Sequence, residues 1–523
     1  MFIRKRKNKK GYSIDILTAF RNKNGKPTNK QVASLGPFIS FNDSELKKLV
    51  RKLAAISHPD EMLLDKSVKE VSRRIIGTPL VVERLWKELK IDRILKKISK
   101  RHNRLEFDFN SAVLLTVIQR FIEPASKLGT YQNREKIDGD HSVELHHLYR
   151  SLDLLSEHKG EMEKFLFDAR GDIFNNSVDV VFFDTTTFYF DSQRETEFLQ
   201  KGFSKDVKFA DVQIVYGLMT DSFGHPIGYE YFPGNTADVK TLLPAIDGLK
   251  KRFNLGKVTI MSDSGVLSRN NLKKLEEEDY RYIVAARLKK LPGYTKKEIS
   301  DLERYQSIRD DLKIYETEYD GKRLIVTWSE KRALRDEKER KKLIEKLKKS
   351  LATGKKGVLS GKYSKYLKLD ETPELNDKAI KEDSRFDGLL GLLTNNKDLK
   401  GESLVKKYKE LWKIEESFRL MKSQLEVRPM FHWSDKRISG HLMLCFLAFV
   451  VMRELERKTK EHGIKDSIGK MLNALSELQV SELDSNGEHY LLRSKATQLA
   501  ERIFKAMKMK IPPSFQPIVK TDH

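Results

Sequence analysis

The run Val178-Asp179-Val180-Val181-Phe182-Phe183-Asp184 crowds β-branched, apolar and aromatic side chains together without polar alternation. A strand of this kind is stable only when both of its faces are covered, so the chain must build a sheet with layers packed on either side. A second run, Lys257-Val258-Thr259-Ile260-Met261-Ser262-Asp263, has the same character, and both runs end on an aspartate. The active crevice of an open α/β sheet lies outside the carboxyl ends of its strands, which makes Asp184 and Asp263 candidate neighbours in space. Between them, Val212 to Met219 and Pro226 to Phe232 flank the turn-forming Thr220 to His225, so three strands form a meander, followed by a helix over Val239 to Phe253.

Around this block the pattern changes. Tyr12 to Phe20 and Gln31 to Leu35 are strand-like, joined by the basic, turn-rich Arg21 to Pro27. A helix capped by Asn42, Asp43 or Ser44 is expected to run to about Ile56, with helical periods following at Val81 to Ile98, Ser111 to Ile122, Val143 to Leu155 and Glu161 to Phe174. Residues 1–175 therefore read as a β element plus a basic, mostly helical region suited to holding DNA. Residues 176–290 form the first part of an α/β core. Residues 291–400 read as a β-rich basic insertion, in which Leu324 to Trp328 is strand-like and Lys331 to Asp370 carries 15 Lys or Arg against 5 Asp or Glu. The core resumes over 401–445 with one long helix from Leu404 to about Leu425, and 446–523 reads as helical, with a strand-like piece at Tyr490 to Leu492.

Charge narrows the partner. The 523 residues carry 100 Lys plus Arg against 76 Asp plus Glu, a net +24. A surplus of that size points first to a polyanion, and nucleic acid is the commonest one. The single cysteine, Cys445, excludes an intrachain disulfide framework and a Cys-cluster zinc site. The longest apolar run, Leu442 to Met452, has 11 residues, well short of the roughly 20 needed to span a bilayer. The basic start, Met1 to Lys7, lacks the apolar stretch of a secretory signal, so a cytoplasmic protein without a membrane partner is expected.

A third carboxylate comes from the late helix. Tyr408, Glu415 and Lys422 are spaced by seven, close to two turns, so on one continuous helix they share a face, with Trp412 and Arg419 beside it. Hard divalent cations take carboxylate oxygens, and a pair of such ions supports in-line phosphoryl displacement. Taken singly, a strand-end aspartate is more often a turn former, and a Glu/Lys helix is more often a solvated face.

In combination these segments resemble the DDE transposases of bacterial insertion sequences, in the group related to insertion sequence four. The resemblance rests on Phe183-Asp184-Thr185-Thr186, on Pro233-Gly234-Asn235-Thr236-Ala237-Asp238, on Ser262-Asp263-Ser264-Gly265, and on Tyr408 to Lys422 followed by Arg428-Pro429 and Gly440-His441-Leu442. It covers about residues 178–445, and more loosely Gly11 to Gly36. The family signature is Tyr, two residues, Arg, three residues, Glu, six residues, Lys. Here Tyr408, Glu415 and Lys422 are in register, but Leu411 stands where the arginine belongs, leaving Arg419 or Lys407 to supply its charge.

The resemblance implies an α/β fold with an RNase H-like catalytic core, interrupted by a β-rich insertion between Asp263 and Glu415, which lie 152 residues apart. A mostly helical N-terminal region and a helical C-terminal tail complete it. It implies Asp184, Asp263 and Glu415 as catalytic metal ligands for Mg2+, with Mn2+ able to replace it. Tyr408, Lys422 and Arg419 become DNA contacts, and Trp328 a base-stacking residue in the insertion. The implied partners are double-stranded DNA, as terminal inverted repeats and target, and a second copy of the chain on that DNA, in the nucleoid of a bacterial cytoplasm. A structure-selective nuclease on the same core, and a transposase-derived DNA-binding protein without catalysis, stand as the alternatives.

Overall fold

The computed structural model describes residues 2–8, 11–21, 26–38, 68–139, 142–174, 180–191, 194–202, 211–253, 258–266, 268–352, 365–368, 374–427, 430, 432–485 and 487–518. The helix expected to end near Ile56 and the Arg428-Pro429 pair lie outside them. The chain divides into two compact units.

The larger unit comprises Thr78–Arg134 and Gly139–Leu472. Among its described residues runs a mixed sheet of nine strands: β1 (Val180–Tyr189), β2 (Gln213–Thr220), β3 (Pro226–Pro233), β4 (Thr259–Ser262), β5 (Arg281–Ala285), β6 (Gln306–Arg309), β7 (Leu312–Tyr319), β8 (Lys322–Ser329) and β9 (Leu389–Thr394). Across the sheet their order is β6-β7-β8-β9-β5-β4-β1-β2-β3. The neighbours β1, β4 and β5 are parallel. The pairs outside that trio are antiparallel.

Helices cover both faces, as the apolar strands require. Ahead of β1 come α1 (Gly77–Glu88), α2 (Ile91–Arg101), α3 (Phe109–Ile122), α4 (Lys127–Asn133), α5 (Leu145–Glu157) and α6 (Lys159–Phe174). Later come α7 (Leu242–Arg252), α8 (Arg269–Glu277), α9 (Gly293–Ile299), α10 (Glu330–Ala352), α11 (Asp377–Ser384), α12 (Gly401–Lys409), α13 (Trp412–Ser423) and α14 (Asp435–Glu461). On one face Val181, Phe183, Ile260, Tyr282, Leu324 and Val326 pack with Leu242, Ile246 and Leu249 of α7 and Leu272 and Leu275 of α8. Each such side chain contributes about 1.5–3 kcal/mol when fully buried.

On the other face lies α14, whose apolar stretch is long enough to cross a membrane by composition but is wholly buried inside the fold. Phe446 of α14 meets Tyr229 of β3, ring centroids 5.2 Å apart. Gly440 allows α14 to touch α5, since a Cβ there would sit 2.0 Å from the Leu152 carbonyl oxygen. The helices at 77–174 therefore belong with the sheet. The expected boundary at residue 175 does not divide the molecule, because the apolar faces of α3 and α5 are covered by α14, a segment far along the chain.

The smaller unit comprises Met1–Gly77, Glu135–Asp138 and Asn473–His523. Phe2–Asn8, Gly11–Arg21 and Pro27–Phe38 form an antiparallel sheet in which the buried Asp15 lies 3.7 Å from both Arg4 and Arg6. A second antiparallel sheet joins Val68–Ile75 to Gln479–Ser485, then Glu488–Arg493, then Phe515–Pro517.

Three expectations need correction. The C-terminal region expected to be helical contains those last three strands. The buried Val480 and Leu483 lie three residues apart, a helical spacing within a strand whose partner Val68–Ile75 carries an extra residue, Val71, opposite the step from Glu482 to Leu483. The strands of 291–400 do not form a sheet of their own apart from the ribbon Leu367–Lys368 with Glu374–Leu375; β6, β7, β8 and β9 hydrogen-bond into the core sheet through β5. The helix expected from Leu404 to Leu425 is two helices. Around the break, Leu411 N–H donates to Tyr408, Lys413 to Glu410 and Ile414 to Leu411, a run of tightened i to i−3 bonds that redirects the axis.

The second of these helices, α13, is tied to α14 by one buried side chain. Arg453 pairs with Glu456 at 2.6 Å and Glu416 at 3.3 Å, and it donates to Ser417 Oγ at 2.7 Å and to the Lys413 carbonyl at 3.3 Å. Removing one partner of a buried ion pair costs about 3–5 kcal/mol. Arg453→Met should therefore lower the unfolding free energy by about 3 kcal/mol, read from urea denaturation.

Candidate active site

Strand β1 does not end at Asp184 as the sequence suggested. Thr185, Thr186, Thr187 and Phe188 are buried and carry the strand on to Tyr189 against β2. What ends at that level is the parallel partner. The pairs Val180 with Thr259, Val181 with Ile260 and Phe182 with Met261 define the register, and continuing it two steps past the last pair brings Asp184 level with Asp263, just beyond the end of β4. Neighbouring strands lie about 4.8 Å apart. Val181, Phe183 and Ile260 face the α7 and α8 layer, so by alternation Asp184 and Asp263 project from the other face, where α13 packs on β1 and β2.

Backbone amides hold both carboxylates. Thr185 N–H donates to Asp184 Oδ1 at 2.7 Å, and Gly265 N–H to Asp263 Oδ1 at 2.5 Å. A further acid, not singled out from the sequence, joins them. The Thr185 hydroxyl donates to Asp238 Oδ1 at 2.7 Å, and a Cβ on Gly265 would lie 3.7 Å from both Asp238 Oδ2 and Asp263 Oδ1. The Pro233 to Asp238 block was the available signal, but its position in space follows from the turn after β3.

Although the helix breaks between them, the Glu415 charge still acts on Tyr408. Burial, then the Asp263 carboxylate, followed by those of Asp184 and Glu415, push the Tyr408 hydroxyl well above its ordinary range, while the Arg332 guanidinium pulls it back. Three acids and one cation therefore bear on a single phenol, which stays protonated and able to donate. Glu415 is exposed, whereas its neighbour Glu416 is held by Arg453 at 3.3 Å and Arg419 at 3.6 Å. Arg419 is thus turned toward Glu416, with 72% of its side chain exposed. Lys422, half-buried, lies two turns after Glu415 on α13.

The cation missing at Leu411 has a structural counterpart that sequence spacing could not reveal. Because β8 runs antiparallel to β9, and β9 antiparallel to β5, the end of β8 reaches the same sheet edge as the two aspartates. Arg332 follows in the first turn of α10, its N–H on Ser329 Oγ at 3.3 Å and its Nε 3.7 Å from Asp336. Arg287, just past β5, donates to the Ser264 carbonyl at 2.6 and 3.1 Å. Trp328 ends β8, but it packs against the core cluster on the α7 and α8 face, where only a glycine fits at 388: a Cβ there would lie 2.7 Å from the indole nitrogen. The exposed tryptophans are Trp412, at 53%, and Trp433, at 72%.

The donor set suits a hard cation, since it consists of carboxylate oxygens, and neither Asp263 nor Glu415 is paired with a Lys or Arg among the described residues. The tightest His and acid cluster among those residues lies elsewhere, at His102, Glu157 and His158. There the two imidazoles bond each other at 2.9 Å and Glu157 is paired with Lys436 at 2.5 Å. Like charges about 5 Å apart repel by about 1 kcal/mol even with water-like screening. Asp184→Asn should accordingly raise metal-free stability by about 1 kcal/mol, and millimolar Mn2+ is expected to raise the melting temperature of the wild type but not of this variant, both measured by calorimetry.

Residues 177–451, just over half of the chain, match the family model described as the transposase DDE domain. No curated protein matches the chain. The matched span opens just before β1 and closes within α14, so it contains Asp184, Asp263, Tyr408, Glu415 and Lys422.

Proposed function

The chain belongs to the transposase DDE domain family, and from that premise we propose that it cuts DNA at the ends of a mobile element and joins the freed 3′ hydroxyls to target DNA. What supports this reading is that the parallel register of β1 and β4 brings Asp184 level with Asp263 and that both, with Glu415, bear electrostatically on the Tyr408 hydroxyl. The strand order β3-β2-β1-β4-β5, with β2 antiparallel, supports an RNase H-like core. The insertion-sequence-four-related group is the affiliation we favour within the family, on the Tyr408, Glu415 and Lys422 spacing.

Asp184, Asp263 and Glu415 would hold Mg2+, or Mn2+ in its place. Bound there, the ions would activate the attacking oxygen and stabilise the leaving one in an in-line phosphoryl displacement. The chain's own groups position the phosphate. Tyr408, kept protonated by its burial and by the acids around it, donates to a nonbridging oxygen. Lys422 and Arg332 supply the positive charge that Leu411 cannot, with Arg287 next along the edge. Asp238 orients the Thr185 hydroxyl beside Asp184. Base stacking by Trp328 would require that ring to leave the core cluster, so it has no part in this mechanism. Joining two ends in concert calls for at least two copies of the chain on DNA, and the +24 charge suits it to the polyanion. The bacterial cytoplasm is the compartment this activity implies.

The test is cleavage and joining of labelled DNA carrying the inverted repeats that flank the gene, with Mg2+. Glu415→Gln and Asp184→Ala should each lose at least about a hundredfold in rate while still retarding the DNA in a gel. Cutting that survives either substitution would refute the assignment. Joining of a pre-cut 3′ hydroxyl end separates a transposase from a nuclease that only cuts.

A further inference from the structure

A cavity of about 450 Å³ opens between α4, α5, the start of α14 and the segment leading into it, and none of the three catalytic acids lines it. Its volume lies within the range of small-molecule sites. The chain past β1 borders it, since Phe190 bridges Met430, a lining residue. The walls are cationic and aromatic: Arg120, Lys127 and Arg437 with Tyr149, His432 and Trp433.

Two of those cations are buried. Lys127 is 3% exposed and Arg120 4%. Arg437 has Asp153 at 3.6 Å, and Arg120 donates to the Leu425 carbonyl, leaving its Nε without a partner. Lys127 forms no ion pair and no hydrogen bond from its ammonium group among the described residues. An unpaired buried ammonium is costly, and burial followed by the Arg120 charge pushes it down to about 7. The histidines do not add to the charge, because burial pushes His432 down to about 3 and His441 well below its ordinary value. At the cavity lies Trp433, 72% exposed, a flat ring beside a cationic wall.

We propose that this cavity binds one nucleotide unit, with its phosphate on Lys127 and Arg120 and its base against Trp433. A phosphate supplies the counter-charge that the protein withholds from Lys127, and stacking on an indole is indifferent to which base is present. No residue of the transposase mechanism lines the cavity. An Asp184→Asn protein therefore keeps it.

The experiment is calorimetric titration of the full chain with 5′-dTMP, inorganic phosphate and thymidine. The nucleotide should bind at least tenfold tighter than the nucleoside. Lys127→Met should lose that preference, and Trp433→Ala should weaken nucleotide and nucleoside alike while sparing phosphate. Lys127→Met is expected to fold, because it removes a buried charge, and its melting temperature shows this independently. In the wild type the folded chain sheds the Lys127 proton near pH 7 while the unfolded chain keeps it to about 10.5. Stability from this group thus rises with pH above 7. Arg120, His432, His441, Cys445, Arg437 and Glu426 face the same space and are common to both proteins, so a gap between wild type and variant that narrows from pH 7 to 8.5 reports Lys127 alone.

A nucleotide that binds no better than thymidine, or a Lys127→Met protein that binds dTMP as the wild type does, overturns the proposal. Tighter binding of 5′-phosphorylated than of 5′-hydroxyl oligothymidylate assigns the site to a DNA strand; tighter binding of the mononucleotide assigns it to a free nucleotide.

Discussion

Asp184 and Asp263 carry like charges that the parallel register of β1 on β4 brings to the same level of the sheet, and the rest of the candidate site depends on that register. No local preference brings two carboxylates together with a third and a buried phenol. The parallel register of β1 on β4 does so, and that register is enforced by apolar burial rather than by anything at the acids. A slip of one residue would turn Phe183 toward α13 and Asp184 into the cluster around α7 and α8. The hydrophobic pattern of the two strands is thus what fixes the spacing of the charges.

The third acid is set by a different device. Helix α13 packs Ile414, Phe418 and Met421 inward and is tied to α14 by Arg453, which reaches from α14 to a carbonyl, a hydroxyl and a carboxylate on it. That contact occupies Glu416 and leaves its neighbour Glu415 for the aspartates. The break before α13 places Tyr408 and Glu415 on separate helices, α12 and α13. Charge comes in from the side: strands that continue the sheet beyond β5 deliver Arg287 and Arg332 to the edge where the acids lie.

Much of this was legible in the chain. The buried strands that carry Asp184 and lead into Asp263, and the meander between them, follow from residue type and spacing. The failures share a cause. Thr185 to Tyr189 continue β1 because β2 gives them a partner, and Gln479–Ser485 is a strand despite the helical spacing of Val480 and Leu483 because Val68–Ile75 and Glu488–Arg493 pair with it. Tyr408 and Glu415 have helical spacing without a shared helix. Trp328 is strand-like, as expected, yet its place in the alternation with Leu324 and Val326 turns its ring into the core.

Residue chemistry and short-range periodicity, which a sequence carries directly, were enough to determine the buried strands, the candidate acids and the basic surplus of this protein. The tertiary structure alone decided which strands became neighbours, which face each side chain took, and which cation reached the acids. The physical reason is that these outcomes depend on pairings between segments tens to hundreds of residues apart. Arg332 and Asp184 are related by strand order, Val68–Ile75 and Gln479–Ser485 by a sheet joining distant parts of the chain, and Lys127 and Trp433 by helices packed on a common core. None of these relations has a local signature, because no residue near either partner needs to change for the pairing to occur.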